Sequence, residues 1–102
     1  MTPKTVPVPI LHNVTQHRFE LEVEGQIAFL TYTRHGDLVS LDHTYVPEEL
    51  RGRGLAALLV RAALEEARRR HWTIIPRCSY VARFIERHTE FPDLVARGGA
   101  PS

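Results

Sequence analysis

The sequence predicts an α+β fold built as one small domain, and three observations lead to this class. Apolar and polar residues alternate at the two-residue period of β-strands in the first half of the chain, whereas the second half repeats apolar residues at helical spacing. Glycine-containing turns separate the strand-like runs. The 102 residues suffice for one modest core. We predict a domain over residues 11–96, an extended or disordered, proline-containing lead at 1–10, and a flexible tail at 97–102.

Three strands are predicted in the first half of the chain. Strict alternation from Arg18 to Glu24 is typical of a half-buried strand. The segment Gln26 to Thr33 is nearly continuous in β-forming residues, which favours a more central strand, and Leu38 to Val46 forms the third. Tight turns at Glu24-Gly25 and at residues 34–37 join these strands, so we expect an antiparallel meander.

The second half predicts helix, strand and helix. A helix of high propensity is expected from Leu55 to about Arg70, with four apolar residues on one face: Leu55, Leu58, Leu59 and Ala62. The apolar segment Trp72 to Ile75 then forms a fourth strand, which the intervening helix allows to pair parallel to the third. Ser79 is predicted to cap a second helix that ends before Phe91-Pro92, and Leu94–Val95 is predicted to add a short edge element or cover.

Composition narrows the classes of function and location. The formal net charge of +1 gives no overall field that would draw the chain to nucleic acid or to a membrane. The cluster Arg68–Arg70 is better explained as a solvated helix end than as a nucleic-acid site. Cys78 is the single cysteine, so an intrachain disulfide is excluded. No apolar run approaches the roughly 20 residues of a membrane span. The N-terminus lacks the apolar core of a signal peptide. We therefore expect a cytoplasmic protein.

The segment from Val46 to Ala56 carries the strongest functional signal. It ends a strand, passes through the Arg/Gly sequence Arg51-Gly52-Arg53-Gly54, and opens the long helix. Unpaired backbone N–H groups and the helix dipole favour an anion at such a junction, and glycine lets a ligand approach the main chain closely. An ordinary glycine turn before a helix would have the same spacing, and no Walker P-loop pattern occurs. The segment predicts a phosphate-binding site.

These residues resemble the acyl-CoA signature of the GNAT acetyltransferase superfamily. Arg51-x-x-Gly54-x-Ala56 matches its [Q/R]-x-x-G-x-[G/A] pattern between a strand and a helix. Two further segments, His43 to Val46 and Pro76 to Val81, are similar to its small single-domain branch of N-acetyltransferases. The likeness covers roughly residues 17–95. It implies a GNAT-like α+β fold with the fourth strand splayed from the third, acetyl-CoA as co-substrate, and no metal.

The resemblance also implies which residues hold the CoA. The pyrophosphate is expected on backbone amides of the loop, where Arg51 and Arg53 add charge at the rim. A β-bulge on the third predicted strand would open a cleft for the pantetheine arm and free N–H groups that polarise the thioester carbonyl. The implied cofactor-binding set is Thr44, Tyr45, Val46, Arg51, Gly52, Arg53, Gly54, Leu55 and Ala56.

Three residues compete for catalytic roles. Cys78 lies beside the predicted cleft, where a helix N-terminus and Arg77 would lower the pKa of its thiol, although a lone cysteine is more often a packed core residue. Tyr80 is the alternative acid for the CoA thiolate, since family members often place a tyrosine there, or it is a packed tyrosine. His43 is the candidate base, or a half-buried histidine, because strand parity groups it with Leu41 and Tyr45. The other histidines lack the spacing of zinc ligands.

The chain departs from larger family members at one connection. Those members insert one or two helices between their first two strands, and these helices shape the acceptor site, whereas Glu24-Gly25 joins the two strands directly here. The acceptor could therefore be a small amine, a peptide or a protein surface, or a partner protein could complete the site. Two functions remain open: an acetyl-CoA-dependent N-acyltransferase, and a CoA-binding or regulatory module with little or no turnover.

Overall fold

A five-stranded sheet with its strands in chain order organises the fold, which a computed structural model describes for residues 9–96. The tail at 97–102 and all but the last two residues of the predicted lead lie outside the described residues. The strands are β1 (Leu11–Asn13), β2 (Arg18–Val23), β3 (Gln26–His35), β4 (Leu38–Tyr45) and β5 (Thr73–Pro76). The first four pair antiparallel, and β5 pairs parallel to β4.

Two helices pack against one face of this sheet. Helix α1 is Leu55–Arg70 and forms the crossover between β4 and β5, as predicted. Helix α2 is Ser79–Arg87, and its N-cap is Cys78 rather than Ser79. Short 3-10 turns occur at Glu48–Leu50 and Pro92–Leu94. None of the described helices is long and apolar enough to cross a membrane.

Strand β1 was not predicted, because its residues Leu11-His12-Asn13 show neither an apolar run nor strict alternation. Its place in the sheet depends on the side chain of His12. The imidazole stacks on the Phe19 ring, with centroids 4.2 Å apart, and its Nε2 lies 2.6 Å from the Tyr32 hydroxyl. A polar residue therefore supplies the packing that a strand usually obtains from an apolar one.

The buried side of α1 differs from the predicted one. The structure buries Leu55 and Leu59 as expected, but Leu58 is 40% exposed and Ala62 is only partly buried. The helix instead buries a second row of residues against the sheet: Val60, Ala63, Leu64, Glu66 and Ala67. Both rows satisfy helical spacing, and the direction in which the chain enters the helix from Gly54 decides which one faces the core.

A β-bulge in β4 confirms the bulge predicted for the third strand of the sequence. Tyr32 pairs with Leu41 and the preceding Thr31 pairs with His43, so Asp42 is an extra residue in β4. One extra residue exchanges the faces of all later side chains. Leu41 is fully buried, whereas His43 is exposed on the other side, so the parity that grouped these two residues is wrong.

The bulge coincides with the end of the pairing between β4 and β5. Their last paired residues are Leu41 and Pro76. The backbone N–H groups of Arg77 and Cys78 then both donate to the Leu41 carbonyl, at 3.1 Å and 3.0 Å, which turns the chain away from β4. The two strands therefore separate as predicted, and no described strand pairs with the later residues of β4 on this edge.

The other edge of β5 is covered by the end of the described chain. Val95 forms a parallel bridge with Ile74, and the Ala96 N–H donates to the Ile74 carbonyl at 2.8 Å. This confirms the short edge element predicted at Leu94–Val95. Ile74 is fully buried as a result.

A network of ionisable groups ties β1 to α1 at the end of the sheet remote from the helix N-terminus. Nδ1 of His12 lies 3.7 Å from an oxygen of Glu66, a buried carboxylate that Arg69 and Arg70 also contact. Burial lowers the pKa of His12, the Glu66 carboxylate raises it, and the guanidinium groups of Arg70, Arg34 and Arg69 lower it again, so that the net direction is downward. The folded protein therefore favours the neutral form of His12 more than the unfolded chain does.

This network predicts a loss of stability on mild acidification. Because the pKa of His12 is lower in the folded protein than in the unfolded chain, the unfolded chain binds more protons, and the free energy of unfolding falls as pH drops below about 6.5. We expect His12→Gln to remove this step in melting temperature between pH 7.5 and pH 5.5. The matched control is His71→Asn, since His71 is exposed and Asn tolerates its left-handed backbone. Equal pH dependence in wild type and His12→Gln would contradict the assignment.

Candidate active site

A groove opens where β4 and β5 separate, and the loop before α1 closes one of its ends. Its volume is about 620 Å³. Two of its lining residues were not predicted, Leu50 and Ser79. The other lining residues are all in the predicted set: Thr44, Tyr45, Val46, Arg51, Gly52, Gly54, Leu55, Ala56, Cys78 and Tyr80. The structure thus brings together the end of β4, the Arg/Gly loop and the start of α2, which are far apart in the sequence.

The loop has a row of unpaired backbone donors, and four of its residues line this groove: Gly52, Gly54, Leu55 and Ala56. The first backbone bond of α1 runs from the Leu58 N–H to the Gly54 carbonyl. Within residues 9–96, the N–H groups from Gly52 to Ala57 donate to no backbone or side-chain acceptor of the chain, and no side chain caps the helix. Such a cluster at the positive end of a 16-residue helix attracts an anion.

Two glycines give the loop this shape. Gly52 has φ +84° and Gly54 has φ +78°, in the left-handed region that side chains disfavour. A Cβ atom at either position would meet no protein atom within 4 Å. The space above both glycines is therefore open to a ligand, and the loop keeps its donors accessible.

The two loop arginines have different positions. The Arg51 Nε donates to the Val46 carbonyl at 3.1 Å, so this side chain joins the loop to the end of β4 while lining the groove. The Arg53 guanidinium instead pairs with Glu24 at 2.9 Å on the β2–β3 turn and does not line the groove. Of the two charges expected at the rim, the structure places only Arg51 there.

Leu50, which the sequence analysis missed, anchors the same loop. It is fully buried in the 3-10 turn between β4 and the glycines. An isolated leucine between Glu48-Glu49 and Arg51 was the available signal, since a single large apolar residue in a polar loop often fixes that loop to the core.

Cys78 lies in the groove at the N-cap of α2, and its sulfur is 3.5 Å from the Thr44 hydroxyl oxygen. Burial raises the pKa of the Cys78 thiol. Hydrogen bonds from the Thr44 hydroxyl and from the N–H groups of Val81, Tyr80 and Thr44 together lower it by more, so the pKa is below that of a free cysteine. Arg77, which was expected to contribute, does not, because it lines a cavity on the other face of the sheet. The helix N-terminus and Thr44 are the cause of the shift.

Tyr80 and His43 lie in different surroundings. Tyr80 lines the groove with 40% of its surface exposed, so its hydroxyl is accessible to a ligand. His43 lies opposite Thr31 on the sheet face away from the helices and does not line the groove. The structure therefore brings Cys78 and Tyr80 together and leaves His43 apart from them.

The sheet face away from the helices, here called the open face, has no helix packed on it within the described residues. Large side chains remain accessible there, including Ile27 at 43% and Tyr45 at 46% exposure. Because β2 and β3 are joined by a tight turn, the helices that larger family members insert between these strands are missing. Residues 9–96 contain no group of three or more His, Cys, Asp or Glu side chains arranged to hold a metal ion.

Comparisons with known proteins agree with this arrangement. The sequence model of the GCN5-related N-acetyl-transferase family matches residues 18–94. The chain is 35% identical to Protein NATD1 of Bos taurus and 33% identical to Protein NATD1 of Homo sapiens, over 80% of this chain and 75% of each relative. The NMR solution structure of a GCN5-like protein from Staphylococcus aureus is similar with a TM-score of 0.68, at 27% identity, over 87% of this chain and 88% of that chain.

The position of Cys78 predicts a reactive thiol that depends on Thr44. Because Cys78 is the single cysteine, alkylation by iodoacetamide reports this site alone. We expect the midpoint of alkylation against pH to lie below that of a free cysteine, and Thr44→Val to shift it upward and slow the reaction at pH 7.

Thr31→Val is the control for this measurement, since Thr31 lies on the open face and does not contact the thiol. It should leave the midpoint unchanged. An identical pH profile for wild type and Thr44→Val would show that the hydroxyl does not stabilise the thiolate.

Proposed function

Because the chain belongs to the GCN5-related N-acetyl-transferase (GNAT) family, we propose that it transfers an acetyl group from acetyl-CoA to an amine, with the CoA pyrophosphate bound on the loop from Arg51 to Ala56. The observation that carries the proposal is the row of unpaired N–H groups from Gly52 to Ala57 at the end of the groove. Amides at a helix start suit a pyrophosphate, whose several oxygens each accept hydrogen bonds.

The separation of β4 from β5 supports the placement of the pantetheine arm. A chain that begins at the loop can extend along the groove past Val46 and Tyr45 toward Thr44. The unpaired edge of β4 beyond Leu41 can supply backbone donors to the thioester carbonyl, as strands do for extended ligands. The thioester would then lie near the Thr44–Cys78 contact.

Two residues of the groove can take part in the transfer, Tyr80 as a proton donor to the departing CoA thiolate and Cys78 as a nucleophile. In direct transfer the neutral amine nitrogen bonds to the carbonyl carbon and loses one proton to solvent as the carbon–sulfur bond breaks. Tyr80 donates its phenolic proton to the CoA thiolate and is reprotonated from solvent. In the covalent alternative the Cys78 thiolate first takes the acetyl group and releases CoA, and the amine then attacks the new thioester. The lowered pKa of Cys78 suits the covalent route, and the accessible Tyr80 hydroxyl suits either route.

Substitution of Gly54 tests the donor site. We expect Gly54→Ala to weaken CoA binding by about tenfold or more, since a methyl group would occupy the open space beside the donors and cost about 1.4 kcal/mol of binding free energy. Isothermal titration calorimetry with CoA measures this change. The matched control is Gly36→Ala in the β3–β4 turn, which carries the same left-handed strain, with φ +62°, away from the groove. Equal CoA affinity in the two variants would exclude the loop as the phosphate site.

Turnover separates an enzyme from a CoA-binding module. We expect acetyl-CoA and a suitable amine to release free CoA, and Tyr80→Phe to lower kcat by roughly 100-fold if Tyr80 is the acid. Tyr32→Phe is the control, because Tyr32 is buried beside His12 and lies outside the groove. No CoA release above background with a broad set of amines would support the regulatory module instead.

Cys78→Ala decides between the two routes. Unchanged turnover in this variant would exclude the covalent intermediate. The covalent intermediate would be established by two results together. Cys78→Ala would lose turnover, and wild-type Cys78 would carry an acetyl adduct of about 42 Da in mass spectrometry after mild acetyl-CoA treatment.

A further inference from the structure

A cavity on the open face of the sheet holds two opposite charges that do not pair with each other. Its volume is about 400 Å³, and Asp42 and Arg77 both line it, beside the His35 imidazole and an apolar surface formed by Leu38 and Ile75. It shares no lining residue with the groove on the helix face. The two concavities therefore approach the opening between β4 and β5 from opposite sides.

The carboxylate of Asp42 is held in place by two hydroxyl groups. The Ser40 hydroxyl donates to one carboxylate oxygen and the Thr33 hydroxyl donates to the other, each at 2.7 Å. The Ser40 side chain is itself buried, at 9% exposure, so its hydroxyl has a fixed position. These bonds orient the carboxylate without neutralising its charge.

Neither charge of the cavity has a counter-ion in the part of the chain that the structure describes. No basic nitrogen lies within 4.0 Å of Asp42, and no carboxylate oxygen lies within 4.0 Å of the exposed Arg77 guanidinium. By contrast, several surface arginines pair with nearby acids, such as Arg53 with Glu24. A ligand that carries both charges would satisfy both side chains at once.

We propose that this cavity binds a free α-amino acid as the acceptor, with its ammonium group on Asp42 and its carboxylate on Arg77. The inference rests on the proposed acetyl transfer, for which it names the substrate class. Leu38 and Ile75 provide a surface for the side chain of the amino acid, and the hydroxyls of Thr33 and Ser40 leave lone pairs of Asp42 free to accept from the ammonium group.

The pairing of charges separates this class from other amines. A diamine or polyamine would be repelled by Arg77, and a lysine side chain on a protein would bring no carboxylate to it. The planar guanidinium of Arg77 suits bidentate recognition of a carboxylate. An amino acid therefore uses both charged groups, whereas the other amines use one.

The location of Asp42 places the amine at the opening between the strands. Asp42 is the bulged residue of β4, one position after Leu41, the last residue of β4 that pairs with β5. Two positions later, Thr44 contacts Cys78 on the helix face. An amine on Asp42 therefore lies beside the point where the strands separate, on the sheet face opposite to the Thr44–Cys78 contact.

The bound ammonium group loses one proton to solvent, and the resulting amine attacks the acetyl carbonyl carbon as the carbon–sulfur bond breaks. Of the two protons left on nitrogen, one stays in the amide and one is released as the CoA thiolate takes a proton to become a thiol. Asp42 binds and orients the amine in this scheme, and Arg77 positions the carboxylate.

The test compares amino acids with their methyl esters as acceptors for the full chain, with N-acetyl products identified by mass spectrometry. We expect free amino acids to be acetylated with a KM at least tenfold lower than that of the corresponding esters. Arg77→Gln should raise the KM for the free amino acid about tenfold or more and leave the KM for the ester unchanged. Asp42→Asn should raise both KM values and leave CoA affinity as in the wild type.

Matched controls are Glu22→Gln, which removes an exposed carboxylate from the open face, and Arg83→Gln, which removes an exposed arginine from α2. Both should behave as the wild type. Esters that react as well as free amino acids, or an Arg77→Gln variant that does not distinguish them, would overturn the inference while leaving acetyl transfer intact.

A binding measurement keeps the inference testable if no acceptor is turned over. Chemical-shift changes in the wild type upon titration with an amino acid should map to Ser40, Asp42 and Arg77, and Asp42→Asn should abolish them. Such binding without turnover would support the cavity and reject the enzyme. Absence of amino-acid binding to the wild type, with or without CoA present, would overturn the inference.

Discussion

The extra residue in β4 is the constraint on which the candidate site depends. If β4 continued as a regular strand through Asp42, without the bulge, Leu41 and His43 would share a face, and β4 could stay paired with β5 beyond Pro76. With the bulge, the strand bends, pairing stops, and the Leu41 carbonyl accepts the N–H groups of both Arg77 and Cys78. The bulge therefore opens the groove and places Thr44 in contact with Cys78 on the helix face. Asp42 itself lines the cavity on the open face.

The second requirement is a helix whose first turn is left without internal partners. Left-handed glycines turn the chain into α1 without supplying a capping side chain, and buried Leu50 holds the entry to the core. An aspartate or serine at the N-cap would satisfy these amides within the protein and add stability. The absence of such a cap at Gly54 leaves the donors available to a ligand, which is how a functional site differs from an optimised helix start.

Local patterns predicted much of this arrangement, because they depend on residues close in sequence. The bounds of α1 and the Arg/Gly loop follow from propensity and spacing, and the family resemblance added the bulge and the separation of the strands. What failed depends on distant residues. Strand β1 relies on His12 meeting Phe19 and Tyr32, and Arg53 is drawn from the groove by Glu24, 29 residues away. The parity of His43 failed because an alternating pattern cannot reveal an inserted residue.

The concavities on the two faces of the sheet offer different groups, in a way that fits two substrates. On the helix face, the amides before α1 and the side chain of Arg51 present positive potential, which suits a phosphorylated donor. On the open face, the carboxylate of Asp42 is placed by two hydroxyls at the bulge, where it attracts a positive group, and Arg77 in the same cavity attracts a carboxylate. Because the two concavities lie on opposite faces beside the point where β4 leaves β5, donor and acceptor would come together there, and no helix within residues 9–96 packs on the acceptor's side.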